Sequence, residues 1–512
     1  MKNNILWIFM TIIPLSTIVA QIKGDYIWVA GSQKNYTETG GYDGHKMDFN
    51  KDTMTVSYCK LPLGTDGNKA SICDDYGNLL FFSNGRAVMD ANLSIITNGS
   101  DINDGEWVRR YWPDPGDGFP GFQNIMFLPD PKTSSGFYLI HKAPVYKPPA
   151  KDSFEIRYSY IEYDALTLTS AVTLKNIKFY DKNNLLGNYL TAIRHQNQRD
   201  WWVLQPVLGD SILTFLIDDA GISLSQVQPS HQIFDKRKSS SSGTAKFSPD
   251  GTKYALYNYF DQLHIYDFDR ETGRLSHHQK INVIPEDDID RESYNFASVE
   301  WSPNSRFIYA ASDYWLHQID TWESDPDKKI VLIDTYNGTK DPFSTLLFLM
   351  VQGPDCKIYM CPKSGSFSIH VINHPDEKGK ACDFVQNGIK IPNSHGRSLP
   401  NFPRFRVDEA QKCNPGITSV FGHQVYYRRP LEVFPNPARN IIHFKDFSLP
   451  VAADLYLYDM NGSALIQSRL PADQLPDALD ISRLPAGRYN LEIYPVGSTE
   501  RVFYGTQFIK VE

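Results

Sequence analysis

Apolar and polar residues alternate with a period of two in short runs closed by turn residues, and no stretch after the first twenty residues holds a helical period. Between Asp25 and Val407 one weak unit recurs: an inner strand with small residues, a Pro-Asp or Asp-Gly type turn, then an aromatic-rich second strand. Its instances are Ala70 to Phe82, Ile125 to Asp130 with Gly136 to Ile140, Ala192 to His195 with Asp200 to Leu204, Ala245 to Ala255, Val299 to Ala310, and Val351 to Met360. The aromatic anchors Phe81, Tyr138, Trp202, Tyr254, Tyr309 and Tyr359 recur roughly every fifty to sixty-five residues, a spacing that suits β-propeller blades. A blade is a small sheet that cannot bury both faces alone, so blades stack into a ring. Tyr26 to Ala30, Lys46 to Phe49 and Met54 to Tyr58 supply three strands of a further blade, and Asn401 to Val407 is expected as its fourth, joining both ends of the ring. The pattern predicts seven blades and leaves six or eight open.

From Leu431 to Glu512 the rhythm changes. Alternating strands are expected at Ile441 to Phe444, Asp454 to Tyr458, Tyr489 to Tyr494 and Arg501 to Phe508, separated by Asn-Pro, Asn-Gly, Pro-Ala-Gly and Val-Gly-Ser turns. This suits a small immunoglobulin-like sandwich, so the fold class is all-β, a propeller followed by a sandwich. The phrases Phe434-Pro435-Asn436-Pro437-Ala438, Leu455 to Asp459 with Asn461-Gly462, Leu484-Pro485-Ala486-Gly487-Arg488-Tyr489 and Phe508-Ile509-Lys510 appear in order. The segment resembles the type A C-terminal sorting domain of the bacterial type IX secretion system. The resemblance implies an outer-membrane translocon as partner and a secreted or outer cell-surface product. It also marks Pro435, Asn436, Pro437, Asp459, Gly462, Leu484, Pro485, Gly487, Tyr489 and Lys510 as motif positions.

The other end agrees with export. Lys2 precedes the apolar run Ile5 to Ile13, and Ala20-Gln21 offers a cleavage point, as in a secretory leader that passes the chain to the periplasm. The expected organisation is a leader over 1–20, a propeller over 21–407, a linker over 408–430 and the sorting domain over 431–512. No later run of apolar residues is long enough for a membrane span. A formal net charge of −8 without long single-sign blocks gives no footprint for nucleic acid. Lys236-Arg237-Lys238 reads as a solvated loop. Six cysteines in an exported chain permit disulfides, with Cys59 and Cys73 the preferred pair and Cys382 and Cys413 next. The two-to-four-residue Cys and His spacing of zinc sites is absent, so neither metal nor cofactor is expected.

Asp75 to Gly85, Gly353-Pro354-Asp355 with Lys357-Ile358-Tyr359, Ser368 to Pro375 and Leu399 to Phe402 resemble exported Bacteroidota propellers with WD40-like or YVTN-like repeats. That resemblance implies a fold and an address and no reaction. Cys356 stands where the family's turn commonly has glycine, and His374 where asparagine is usual.

No Gly-x-Ser-x-Gly elbow, His-Glu-x-x-His helix or phosphate-cradling glycine loop occurs. Ser248-Pro249-Asp250-Gly251 reads as a blade turn, and the acidic runs Asp114 to Asp117 and Glu286 to Asp290 as loops. Glu155, Glu162 and Glu300 form an acid and base pair for glycoside hydrolysis only if the fold brings two of them together. A ligand site is expected at the mouth of the axial channel, where inner strands converge. The polar residues on or beside those strands include Lys69, Lys246 and Asn401. Arg194, His195, Glu300, Gln123 and Gln352 are the leading candidates, and Trp107, Tyr111 and Trp112 offer rings for stacking on sugars. The sequence favours a non-catalytic carbohydrate- or protein-binding module over a hydrolase or lyase acting on extracellular glycans.

Overall fold

The computed structural model describes residues 22–31, 42–51, 53–113, 118–147, 150–165, 167–182, 184–231, 242–285, 295–407, 427–445, 452–459, 464–471, 478–495 and 502–511. The leader, the Lys236 to Lys238 cluster, both acidic runs, Cys413, Gly462 and most of the linker lie outside them.

Among the described residues seven antiparallel sheets follow one another along the chain. Blade 1 has three strands, Ile27–Gly31, Tyr42–Asp48 and Thr55–Leu61, and blade 2 has Ala70–Cys73, Leu79–Ser83 and Val88–Met89. Blades 3 to 7 have four strands each, beginning with the inner strands Ile125–Pro129, Thr191–Arg194, Gly243–Phe247, Ala297–Trp301 and Leu347–Gln352. Each aromatic anchor falls on the second strand and faces a residue of the inner one: Phe81 opposite Ile72, Tyr138 opposite Leu128, Trp202 opposite Ile193, Tyr254 opposite Phe247, Tyr309 opposite Glu300 and Tyr359 opposite Val351. The inner strands of blades 5 and 6 are buried at every position, whereas the outer strand Arg274–Ile281 of blade 5 is mostly exposed. Burial on both faces is what converts a ring of marginal sheets into one core.

The turn from inner to second strand repeats as well. In blades 2, 4, 5, 6 and 7 the fourth turn residue donates its N–H to the carbonyl of the first: Gly77 to Asp74, Gln198 to His195, Gly251 to Ser248, Ser305 to Ser302 and Cys356 to Gly353. All five of these residues have positive φ, yet two of them are glycine; Ser305 adopts 62° and Cys356 65°. The position expected to prefer glycine therefore has that requirement, which Cys356 meets against its own preference.

Two expectations are corrected. Residues 401–407 do not complete blade 1; they make one parallel bridge, Arg404 to Ile193 of blade 4, and otherwise run along the ring's axis. Cys59, Cys73 and Cys382 are free thiols, so neither preferred disulfide forms, while Cys356 is disulfide-bonded. The Cys73 sulfur accepts the N–H of Ile27, and Cys59 lies opposite Gly44, itself opposite Gly31. Four residues along the strand and two strand spacings therefore separate the thiols, about 16 Å, where a disulfide needs Cα atoms within about 7 Å. Cys382 is enclosed in a short 3₁₀ turn, Gly379–Cys382.

The C-terminal unit pairs a five-stranded sheet, ordered Tyr427–Pro430, Val502–Lys510, Gly487–Pro495, Ala453–Tyr458 and Ala464–Leu470, with a three-stranded one. Along Ala453–Tyr458 burial alternates at every residue, and Leu455, Leu457, Leu491 and Ile493 meet Ile442 and Phe508 in its core. Several motif positions close this sandwich. Asn436 Oδ1 accepts the Ile509 N–H at 2.9 Å, and the Tyr489 hydroxyl reaches back to the Pro485 carbonyl at 2.7 Å. The unit touches the propeller through polar groups, Lys51 to Glu492 at 2.6 Å and Arg488 to the Tyr163 hydroxyl at 3.1 Å.

Candidate functional site

The inner strands run parallel around the axis and are tied side chain to backbone. Thr244 Oγ1 accepts the Val299 N–H at 2.9 Å, and Glu300 Oε2 accepts the Gln352 N–H at 3.2 Å. Into the space they enclose comes the chain after blade 7. The Asn401 N–H donates to Lys69 of blade 2, and its amide nitrogen donates to Ile125 of blade 3 and Leu190 of blade 4. Three residues on, the Arg404 N–H donates to Ala192 of blade 4, and its guanidinium donates to Phe247 of blade 5, Glu300 of blade 6 and Gln352 of blade 7. Arg406 then pairs with Asp25, just ahead of blade 1, its Nη2 donating to Oδ2 at 2.6 Å. Contact with all seven blades from so few residues is available only on the axis. The channel is filled by the protein's own chain.

Glu300 is 1% exposed and carries the densest set of contacts. Arg404 Nη2 donates to Oε1 at 3.0 Å, the Trp301 N–H donates to the same oxygen at 3.0 Å, and Lys246 Nζ stands 3.6 Å from Oε2. Burial holds the Lys246 ammonium below its ordinary pKa, against the opposing pull of Glu300. Gln352 gives its carbonyl oxygen to Arg404 at 2.6 Å. These side chains line a depression with a cavity volume of about 40 Å³ at the end of the axis where the inner strands finish.

The structure brings Glu300 and Gln352 together and leaves the other candidates apart. Gln123 is buried and spans blades 3 and 5, donating to the Ala245 carbonyl at 3.0 Å and accepting its N–H at 2.9 Å. Arg194 and His195 sit where the inner strand of blade 4 turns. The Arg194 guanidinium lies 4.5 Å above the Trp201 ring and donates to Gln198 O at 2.7 Å, and burial pushes its pKa down to about 10. His195 accepts the Asn197 N–H on Nδ1, so Nε2 carries the proton donated to Glu271 O at 3.0 Å. The Arg194 side chain thus stays within blade 4, while its carbonyl, which accepts Arg270 Nε at 3.1 Å, and the His195 ring make the contact with blade 5. Glu155 is held by Arg157 at 2.8 Å on the third strand of blade 3, Ala150–Asp164, which also carries Glu162, so neither joins Glu300 as an acid and base pair. Trp107 and Tyr111 lie on a short helix, Glu106–Tyr111, with their rings 5.6 Å apart.

Sequence reasoning missed Arg404, Arg406 and Asp25. Their neighbours come from blades far away in the chain, so no local period marks them; the one available signal was two arginines in an otherwise apolar, alternating segment after the last blade.

The opposite end of the axis is aromatic. Phe122, Phe296 and Phe348 pack edge to face with ring centroids 4.7 to 5.6 Å apart. Lys363 Nζ sits 5.1 Å above the Phe296 ring and donates to Asp313 at 2.6 Å. Beyond them, on loops of blades 6 and 7, Tyr314, Phe343 and Phe367 are 48%, 62% and 42% exposed.

Among the described residues no helix is long and apolar enough to cross a membrane. No curated protein matches the chain. Similar solved structures include the Dos1 propeller, at 13% identity and TM-score 0.35, covering 65% of this chain and 80% of that one. Another is the Cps50 (Swd1) β-propeller domain of Myceliophteria thermophila, at 11% identity and TM-score 0.30, covering 76% and 97%. A third is a functionally unknown protein from Desulfotomaculum acetoxidans, at 11% identity and TM-score 0.39, covering 73% and 99%. Likeness at this level concerns the fold alone. Residues 432–501 match the secretion system C-terminal sorting domain, so the chain carries a type IX secretion sorting unit behind an all-β propeller.

Proposed function

We propose that this protein is a non-catalytic binding module for carbohydrate or protein, released from or held at the outer cell surface after passing through the periplasm. Export rests on the sorting domain. The binding reading rests on one observation above all: the axial channel is filled, and its buried carboxylate, Glu300, is committed to Arg404 and Lys246. A glycan hydrolase of the usual kind needs two carboxyl groups facing each other across open space. Here the nearest other carboxylate lining the depression, Asp25, is committed to Arg406. Two experiments test the reading. In a bacterium with a type IX system, the full chain is secreted and shortened, whereas a chain ending at Arg429 stays in the periplasm; equal secretion of both would sink the address. Incubated with plant and bacterial polysaccharides, the mature protein retains label without releasing reducing ends. Release abolished by Glu300→Gln would replace the binding reading with the glycan-cleaving one.

A further inference from the structure

The chain holds six cysteines. Among the described residues Cys59, Cys73, Cys361 and Cys382 carry free thiols, and Cys356 alone is disulfide-bonded. A disulfide needs a second cysteine, and the sixth, Cys413 in the linker, is the one left to supply it. Burial holds the pKa of the four free thiols above its ordinary value, Cys59 and Cys361 at about 12, which keeps them from competing as thiolates.

Cys356 closes the inner turn of blade 7 at a φ of 65°, where blades 2 and 5 have Gly77 and Gly251. A side chain in that region carries a backbone cost that glycine does not, and the sulfur is what the cysteine adds. The turn also lies beside the axial segment. Phe402 packs on Trp28 with ring centroids 5.7 Å apart, Trp28 on Tyr359 at 5.5 Å, and the Tyr359 hydroxyl donates to Asp355, the neighbour of Cys356, at 2.6 Å. Further along, the Arg406 guanidinium stands 5.9 Å over the Tyr26 ring, whose hydroxyl also feels the charge of Asp355. An extended chain from Arg406 to Cys413 reaches about 20 Å, several times the spacing of these contacts.

We propose that Cys356 and Cys413 form an intramolecular disulfide that clasps the chain behind the axial segment to blade 7. By closing residues 357–412 into one covalent loop, it restricts the unfolded chain and so holds Asn401, Arg404 and Arg406 on the axis. As the S–S bond forms, the two thiols give up two protons and two electrons, and a thiol–disulfide oxidant, such as the oxidoreductases of a periplasm, takes them up and becomes a dithiol. The site of oxidation rests on the export reading, and the bond itself does not.

Peptide mapping of the full chain, purified and oxidised with glutathione disulfide, tests the bond whatever the outcome of the export experiment. Trypsin without reductant is expected to yield residues 341–357 joined to residues 413–428, from protein that runs as a monomer on a non-reducing gel. Residues 341–357 recovered unlinked, joined to another cysteine, or holding two copies of the chain together would overturn the proposal. Cys356→Gly then separates a clasp from a tolerated residue. Relief of the positive φ alone would raise the thermal midpoint, whereas loss of the clasp is expected to lower it by at least about 3 °C. Cys413→Ser leaves the turn untouched and is expected to lower it at least as far. Dithiothreitol brings the parent down to the level of Cys413→Ser and leaves that variant where it was. A midpoint raised or unchanged in both variants sinks the clasp.

Discussion

The two ends of the propeller axis are closed by different chemistry. At one, rings from blades 3, 6 and 7 meet face to edge around Phe348, which is 1% exposed. At the other, charged groups from blades 5 and 6 and from the axial segment surround a depression and satisfy one another almost completely. An apolar closure gains from every contact and needs no partner. A charged closure is stable only when its acceptors and donors are matched, as Glu300 is by Arg404 and Lys246 and Asp25 by Arg406. The comparison separates an end closed by burial from an end closed by matched charge.

The largest break falls on the charged end. Arg404→Ala leaves Glu300 buried with Lys246 at 3.6 Å as its remaining ion-pair partner, and the loss is expected to be ~3–5 kcal/mol in urea unfolding. Arg404→Lys recovers little, because one ammonium cannot replace a planar fork that donates to three blades. A loss below about 1 kcal/mol would mean that the axial segment merely rests in the channel. At the aromatic end, Phe348→Ala removes the ring shared by Phe122 and Phe296 and is expected to cost about 3 kcal/mol.

Between the ends, the chain enters the axis along a seam of histidines. His45 Nδ1 donates to Asn393 Oδ1 at 2.9 Å, and burial pushes its pKa down to about 4; burial likewise holds His370 at about 4 and His395 well below its ordinary value. Lys69, hydrogen-bonded to Gly396 and Ser398, adds positive charge to the same seam, its own pKa lowered by burial to about 7. The sign is fixed by the direction of the histidine shifts. The unfolded chain takes up protons below pH 6.5 that the folded seam refuses until about pH 4, so stability present at neutral pH is lost as pH falls through that window. His45 alone contributes a loss on the order of 1–2 kcal/mol at pH 5. A His45→Asn variant is expected to flatten the pH dependence of the unfolding midpoint between pH 6.5 and 5. An unchanged slope would remove His45 from the account.

How far the sequence reaches follows the same division. The blades were legible because each is local: a run of alternating residues, a turn with positive φ, and an aromatic anchor that lands on the second strand in all six instances. Glu300 and Gln352 were legible for a related reason, since a charged or amide group on an otherwise buried inner strand has to find a partner at the axis. The axial segment was not. Asn401 to Val407 alternates like a strand, and period cannot say whether a strand's partners are one neighbour or seven. The Asn-Arg-Arg contacts reach across the chain, from 52 residues for Arg404 to Gln352 to 381 for Arg406 to Asp25. Arg194 and His195 misled because position on an inner strand does not reveal which end of it turns away from the axis. The cysteines misled because nearness in sequence placed Cys59 and Cys73 two strands apart.

The smallest expected effect sharpens the contrast within the aromatic end itself. Phe348 and Phe343 are both phenylalanines of blade 7 and its approach, yet one is 1% and the other 62% exposed. Burial of a phenylalanine supplies several kcal/mol only when water is removed from it, and Phe343 has kept most of its water. Phe343→Ser should therefore leave stability within ~0.5 kcal/mol of the parent, whereas the same change at Phe348 is expected to cost at least the about 3 kcal/mol of its alanine variant. Tyr314 and Phe367, half-exposed on the same loops, are expected to behave alike. A loss above 1 kcal/mol at Phe343 would show that its loop braces the closure, and the boundary between the ring-holding aromatics and the surface ones would then move outward to include it.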